Sequence, residues 1–185
     1  MAKQDAFDKE MMILALKEAR KCVPKPTGFS VGCVLVAPLE GEQLVLATGY
    51  SRELEGNTHA EANALAKTRD LGEDGLRRLL LESRARNRDA DSQLEVKALP
   101  SIDEVLRTAT VYTTMEPCSV RTSGLAPCAD ALIVVGVRRV VIGTGEPDDF
   151  VQCEGTRKLE ESGIKVDYLK EMEEECLQVA RQGQT

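Results

Sequence analysis

Apolar residues near the start of the chain recur at steps of three and four. Phe7, Met11, Met12, Leu14, Ala15, Ala19 and Cys22 share one side of a helix, with Asp5, Asp8, Glu10 and Glu18 between them. Pro24 and Pro26 stop that helix. The period then changes: residues 30–37 and 43–50 are rich in Val and Leu, and a turn at 38–42 between them predicts an antiparallel strand pair. Helical spacing returns over 59–69 through Ala60, Leu65 and Ala66, with Asn57 or Thr58 as N-cap and His59 in the first turn. Residues 71–107 read as a charged insertion with a helical start at Leu76, Leu79 and Leu80, interrupted at Pro100. Within it, the RARNR run from Arg84 to Arg88 reads as a solvated helix face. Beyond it come a strand at 110–114, a helix at 127–135 with Pro127 at a favoured early position, and a strand at 139–143. A helix at 156–162 closed by Gly163, a last strand at 165–169 and a terminal helix at 172–181 complete the chain.

A hairpin followed by alternating helices and strands predicts an α/β fold, a three-layer α-β-α sandwich around a central mixed five-stranded sheet whose later strands run parallel. The reading takes residues 1–185 as a single domain, with 71–107 inserted and 171–185 forming a C-terminal helix and tail. Composition narrows the picture. Hydrophobic residues make up 42% and charged residues 30%, and with three Phe, three Tyr and no Trp the core has to be built from Val, Leu, Ile and Ala. A net charge of -7 disfavours nucleic-acid partners, whose phosphates need clustered Lys and Arg. No apolar run approaches the roughly 20 residues of a membrane span, and the acidic residues among the first twenty do not suit a signal peptide. The expectation is a cytoplasmic protein that engages no membrane, its six cysteines serving as buried thiols or metal ligands.

The chemistry concentrates in two places. His59, the chain's one histidine, lies in HAE with Glu61 two residues on, and EPCSVRTSGLAPC carries Cys118 and Cys128 with nine residues between them. One imidazole and two thiolates form the three-ligand set of a catalytic zinc site, with a fourth position left for water. The spacing needs an account. Were the segment helical, the cysteines would stand about 15 Å apart, far beyond what bonds of about 2.3 Å to one ion allow. It must loop out and return, which costs on the order of 1 kcal/mol against roughly 10 kcal/mol or more from a bound zinc. Gly124 gives the loop freedom and Pro127 restarts a helix that delivers Cys128. Two other readings stand beside this one. In the first, His59 caps a helix while the thiols are merely buried; in the second, the zinc is closed and structural, completed by Cys33 or Cys153, although Cys33 reads better as core.

On these residues the chain resembles the zinc-dependent cytidine/deoxycytidylate deaminase superfamily, whose short form has H-x-E and then P-C-x-x-C. It is most similar to the branch that deaminates a pyrimidine in riboflavin biosynthesis, which has a lengthened inter-cysteine segment. EPCSVRTSGLAPCADALIVVGVRRVVIG carries the likeness, with MMILALKEARK, VGCVLV and GNTHAEANAL in the same order. The similarity spans most of 11–169 outside the insertion. It implies a cytidine deaminase-like sandwich, one Zn2+ per chain on His59, Cys118 and Cys128, and Glu61 as proton shuttle. The implied substrate is 2,5-diamino-6-(ribitylamino or ribosylamino)pyrimidinone 5′-phosphate, which loses its 2-amino group. Residues 27–29 and the pair Val120 and Arg121 depart from the bacterial pattern, so the substrate contacts are expected to be rebuilt. Arg121 is the candidate for phosphate or sugar and Asn57 for the ring, with Thr27, Ser30, Ser119 and Thr122 as weaker polar candidates. The chain ends without the reductase domain of many bacterial relatives, which resembles a stand-alone, fungal-type arrangement. Family resemblance and low aromatic content favour a homodimer. A deaminase of another nucleoside, nucleotide or transfer RNA, and a non-catalytic zinc-bound regulator, are the competing readings.

Overall fold

The structure is a computed structural model that describes residues 2–87, 98–121, 124–145 and 154–184. Its elements are α1 (Ala2–Ala19), β1 (Gly32–Leu39), β2 (Glu42–Tyr50), α2 (Ala60–Asp70), α3 (Gly72–Asn87), α4 (Ile102–Thr108), β3 (Thr110–Met115), α5 (Cys128–Val135), β4 (Arg139–Thr144), α6 (Gly155–Glu161), β5 (Lys165–Tyr168) and α7 (Glu173–Ala180). A 3-10 turn, Lys170–Met172, leads into α7. The strands form one mixed sheet in the order β2-β1-β3-β4-β5. β1 is antiparallel to both its neighbours, while β3, β4 and β5 run parallel through helical crossovers. Because β2 and β3 both oppose β1, they point the same way, and their C-terminal ends open on one edge of the sheet.

Helices cover both faces. On one, Cys33, Leu35, Val111 and Ile142 pack against Ala60, Leu76, Leu106, Leu132 and Leu159 of α2 to α6. On the other, Val34, Val36, Tyr112 and Val141 meet Met12 and Leu16 of α1 and Cys176 and Val179 of α7. β1 is buried on both sides, which is why its sequence is an unbroken apolar run and does not alternate. No helix among the described residues is long and apolar enough to cross a membrane.

Two expectations change and a third is extended. The helical start read at Leu76, Leu79 and Leu80 is α3, which sinks Leu76 and Leu80 into the core, and further on α4 opens on a capping box in which Ser101 and Glu104 satisfy each other's backbone N–H groups. Arg84 is not solvated, since it is buried and paired with Glu40 at 3.0 Å, a partner in the β1–β2 turn that no local pattern announces. The N-cap of α2 is His59 itself, in place of Asn57 or Thr58. His59 has extended backbone and makes no side-chain cap bond, which leaves its imidazole free for other work.

A buried ionic network ties α1 to the sheet. Arg139 grips Asp8 through two nitrogens at 2.9 and 2.7 Å and Asp167 through Nε at 2.6 Å, and the Tyr112 hydroxyl donates to Asp8 at 2.8 Å. Burial opposes ionisation of Asp8, but hydrogen bonds from Arg139, Gln4 and Tyr112 outweigh it and hold the carboxyl below its ordinary range. Asp167 is also lowered, its burial outweighed by Lys165 and Arg139. A carboxylate with a lower pKa folded than unfolded adds stability above an unfolded value of about 3.9, and that stability is lost as pH falls towards the folded value. Asp8→Asn is expected to lower the melting temperature at neutral pH and to flatten its decline below about pH 4, as measured by thermal unfolding across pH.

Candidate active site

The two halves of the site meet at the sheet edge where β2 and β3 end. α2 can start there because it lies directly on β2: a Cβ added at Gly49 would stand 2.3 Å from the Ala60 carbonyl oxygen and 2.7 Å from the Ala64 nitrogen. Asn63 fastens the approach by donating to Tyr50 O at 2.8 Å and to the Thr58 hydroxyl at 3.1 Å. Across β1, the chain leaving β3 runs through Glu116 and Pro117 to Cys118, loops out and returns at Pro127, the N-cap of α5. The Ala129 N–H then donates to Cys118 O at 3.1 Å and the Cys128 N–H points at Cys118 Sγ at 3.4 Å, so the two cysteines, ten positions apart, are joined by main-chain bonds.

His59 Nδ1 lies 3.5 Å from each cysteine sulfur, and the three ligand atoms are all within 4.8 Å of one another. A tetrahedral ion with bonds of about 2.3 Å to sulfur and about 2.0 Å to nitrogen would set those atoms about 3.5 Å apart. The donor set and its spacing therefore fit a single Zn2+. Cys33 lies in the core outside this cluster, and Cys153 lies outside the described residues. A hydrogen bond between the two thiols lowers the pKa of Cys118 and, together with burial, raises that of Cys128. The start of α5 favours the thiolate further.

Glu61 sits in the first turn of α2, buried beside the cluster. Burial first, and the neighbouring Cys118 charge second, raise its pKa, with His59 opposing. Its oxygen Oε1 is 3.3 Å from the Thr113 hydroxyl, which also lies 2.9 Å from Met115 O. One hydroxyl proton cannot serve both acceptors well, so Thr113 leaves the Glu61 carboxyl able to take up and release a proton.

A cavity of about 280 Å³ opens over His59, Glu61 and Cys118. Thr27 and Asn57, two of the candidate substrate contacts, line it. Arg121 does not line it. Its guanidinium is bonded to the carbonyls of Asn57 and Ala126 and braces the inter-cysteine loop against the approach to α2. Ser30 is buried beside α7, its N–H on Ala180 O, and Ser119 is buried with its hydroxyl accepting the Glu154 N–H at 3.1 Å. Thr122 lies outside the described residues. The sequence reading missed Arg52 and Glu116, both on the cavity wall. Arg52 has a φ of 64°, and its guanidinium donates to Phe29 O and Val23 O with no carboxylate partner among the described residues. Its position in the polar turn between β2 and α2 was the available signal.

The description of the cytidine and deoxycytidylate deaminase zinc-binding region matches residues 5–144. The chain belongs to that family. A diaminohydroxyphosphoribosylamino-pyrimidine deaminase of Schizosaccharomyces pombe is 36% identical over 174 residues, covering 94% of this chain and 35% of its own. The riboflavin biosynthesis protein RibD of Aquifex aeolicus is 33% identical over 165 residues, covering 87% and 34%. The chain thus spans about a third of the length of these curated relatives. The crystal structure of Aspergillus oryzae Rib2 deaminase in complex with DARIPP superposes with a TM-score of 0.69 at 27% identity, over 95% of this chain and 91% of that one. The five-stranded sandwich is therefore the deaminase fold.

Removing one thiolate tests the metal assignment. Cys128→Ser is expected to weaken zinc binding by on the order of a hundred-fold or more while the chain stays folded, as read by chelator competition and circular dichroism.

Proposed function

We propose that the chain is a zinc-dependent hydrolytic deaminase of riboflavin biosynthesis, acting on 2,5-diamino-6-(ribitylamino)pyrimidinone 5′-phosphate or its ribosyl counterpart. The observation that carries the reading is the buried Glu61 beside a His/Cys/Cys cluster on the wall of a small-molecule cavity. The similarity to the S. pombe diaminohydroxyphosphoribosylamino-pyrimidine deaminase and to the Aspergillus Rib2 deaminase bound to DARIPP supports the substrate class. The reading takes residues 1–185 as one deaminase domain.

Zinc held by His59, Cys118 and Cys128 would supply Lewis acidity towards water at the cavity floor. Glu61 takes a proton from that water, gives it to the ring nitrogen beside the amine-bearing carbon, and passes a proton to the departing amine, so that water adds and ammonia leaves. A carboxyl whose pKa is raised by burial suits this double role, because it can hold the proton between transfers. Asn57 and Thr27 face the ring and its substituents from the cavity wall. Arg52 is the cation we assign to the phosphate, since it lines the cavity and its side-chain hydrogen bonds among the described residues go to carbonyls.

The deciding assay follows ammonia release by zinc-loaded protein with the ribityl and ribosyl compounds, cytidine and deoxycytidylate in parallel. Turnover of either riboflavin precursor alone is expected; turnover of cytidine or deoxycytidylate without them sinks the proposal. Glu61→Gln should keep its zinc and lose about three or more orders of magnitude in kcat, and near-native turnover would remove Glu61 as the shuttle. Arg52→Met should raise KM about ten-fold or more for the phosphorylated substrate and much less for its dephosphorylated form; equal effects on the two would remove the phosphate role.

A further inference from the structure

The segment Glu116–Ser119, which carries Cys118, is gripped at successive residues by α6 and β5. Glu116 has both carboxylate oxygens engaged: Oε1 accepts the Thr156 N–H at 2.7 Å and Oε2 accepts the Tyr168 hydroxyl at 3.1 Å. The Thr156 hydroxyl lies 2.7 Å from the Tyr168 oxygen, which lets Thr156 donate to Tyr168 and Tyr168 donate to Glu116 in one chain. Pro117 meets α6 with no room between them, since a Cβ at Gly155 would fall 1.9 Å from the Pro117 carbonyl oxygen. Beyond the ligand, the Ser119 hydroxyl accepts the Glu154 N–H at 3.1 Å and the Ser119 carbonyl accepts from Lys158 at 3.4 Å. Lys158 also pairs with Asp130 of α5 at 2.8 Å, reaching the helix that carries the other cysteine.

We infer that the N-terminal end of α6 and Tyr168 form a clamp that positions Cys118 for the metal, so that zinc affinity and coordination geometry depend on residues that never touch the ion. The reason is mechanical. Cys118 stands outside any helix or strand, and α5 holds it from one side only, through the Ala129 and Cys128 N–H groups. The clamp supplies the other side. A free loop would have to be ordered by the metal at the expense of binding energy, and a loop held in place beforehand binds without that cost. Gly155, Tyr168 and Glu116 are positioning residues in this account. It rests on the zinc reading of the cluster and not on the identity of the substrate.

The test measures zinc affinity by chelator competition and, in parallel, the ligand-field spectrum of the cobalt(II)-loaded chain, on three variants with no substrate present. Tyr168→Phe removes the hydroxyl that holds Glu116, Gly155→Ala forces α6 off Pro117, and Arg157→Ala removes the exposed pairs with Glu154 and Glu161 but leaves the clamp intact. Expected are about a three- to ten-fold loss of affinity in Tyr168→Phe, about ten- to a hundred-fold in Gly155→Ala with a shifted cobalt spectrum, and native behaviour in Arg157→Ala. Native affinity and spectrum in Tyr168→Phe overturn the clamp, and that variant decides alone if Gly155→Ala does not fold. A loss in Arg157→Ala equal to that in Tyr168→Phe overturns it too, since general weakening of α6 would then be the cause. A native chain that binds no zinc removes its basis.

Discussion

The site depends first on a close approach of backbone to backbone. At Gly49 the second strand carries no side chain, and the first turn of α2 settles so near that even a methyl group would stand 2.3 Å from the Ala60 carbonyl oxygen. That contact fixes the height and direction of α2 over the sheet, and so places His59 at its cap and Glu61 in its first turn. The geometry of the sheet does the rest. β2 and β3 are separated by a strand that opposes both, so they end on the same edge, and each delivers one half of the ligand set there. Helices start at that edge, and their N-terminal dipoles favour the thiolates.

The elements that read well from the sequence are those whose burial follows a local period. β1 is apolar without alternation because both faces are covered, and α1 shows its three- and four-residue steps because Met12, Ala15, Leu16 and Ala19 form one buried stripe. His59, Cys118 and Cys128 were legible for a different reason: so few residue types make a zinc site that their order along the chain is informative by itself. Arg84 was not legible, because what buries it is Glu40, 44 positions away in a turn. Arg52 was hidden too. Nothing local says that an arginine in a polar turn will adopt a φ of 64° and turn its guanidinium to the wall of a cavity. Glu116, the first residue of EPC, shows no local sign of its role, since its partners Thr156 and Tyr168 lie in later elements.

The long spacing between the cysteines puts an entropic burden on the loop between them, and the structure shows how it is met. Cys118 is bonded to Ala129 and to the Cys128 N–H on one side, and Arg121 spans from the loop to the Asn57 carbonyl on the other. Arg121 is a charged donor in that loop, but unlike Arg52 it does not line the cavity. Its guanidinium bonds two carbonyls, one on each side of the site, which makes it a strut between the loop and the start of α2.

The choice of two thiolates and one imidazole also bears on Glu61. Three neutral imidazoles would leave a full dication beside the carboxyl and pull its pKa down, whereas two thiolates cancel most of that charge. What remains at Glu61 is chiefly the effect of burial, which raises its pKa. The same exchange leaves the metal a weaker acidifier of water, so a base has to be close at hand. A ligand set that weakens the metal's own acidity thus leaves, two residues from the imidazole, a carboxyl able to supply the missing proton transfer. The H-x-E spacing meets both demands within one helical turn, because the cap position sends His59 towards the sulfurs while Glu61 reaches the cavity from the helix that Gly49 holds in place.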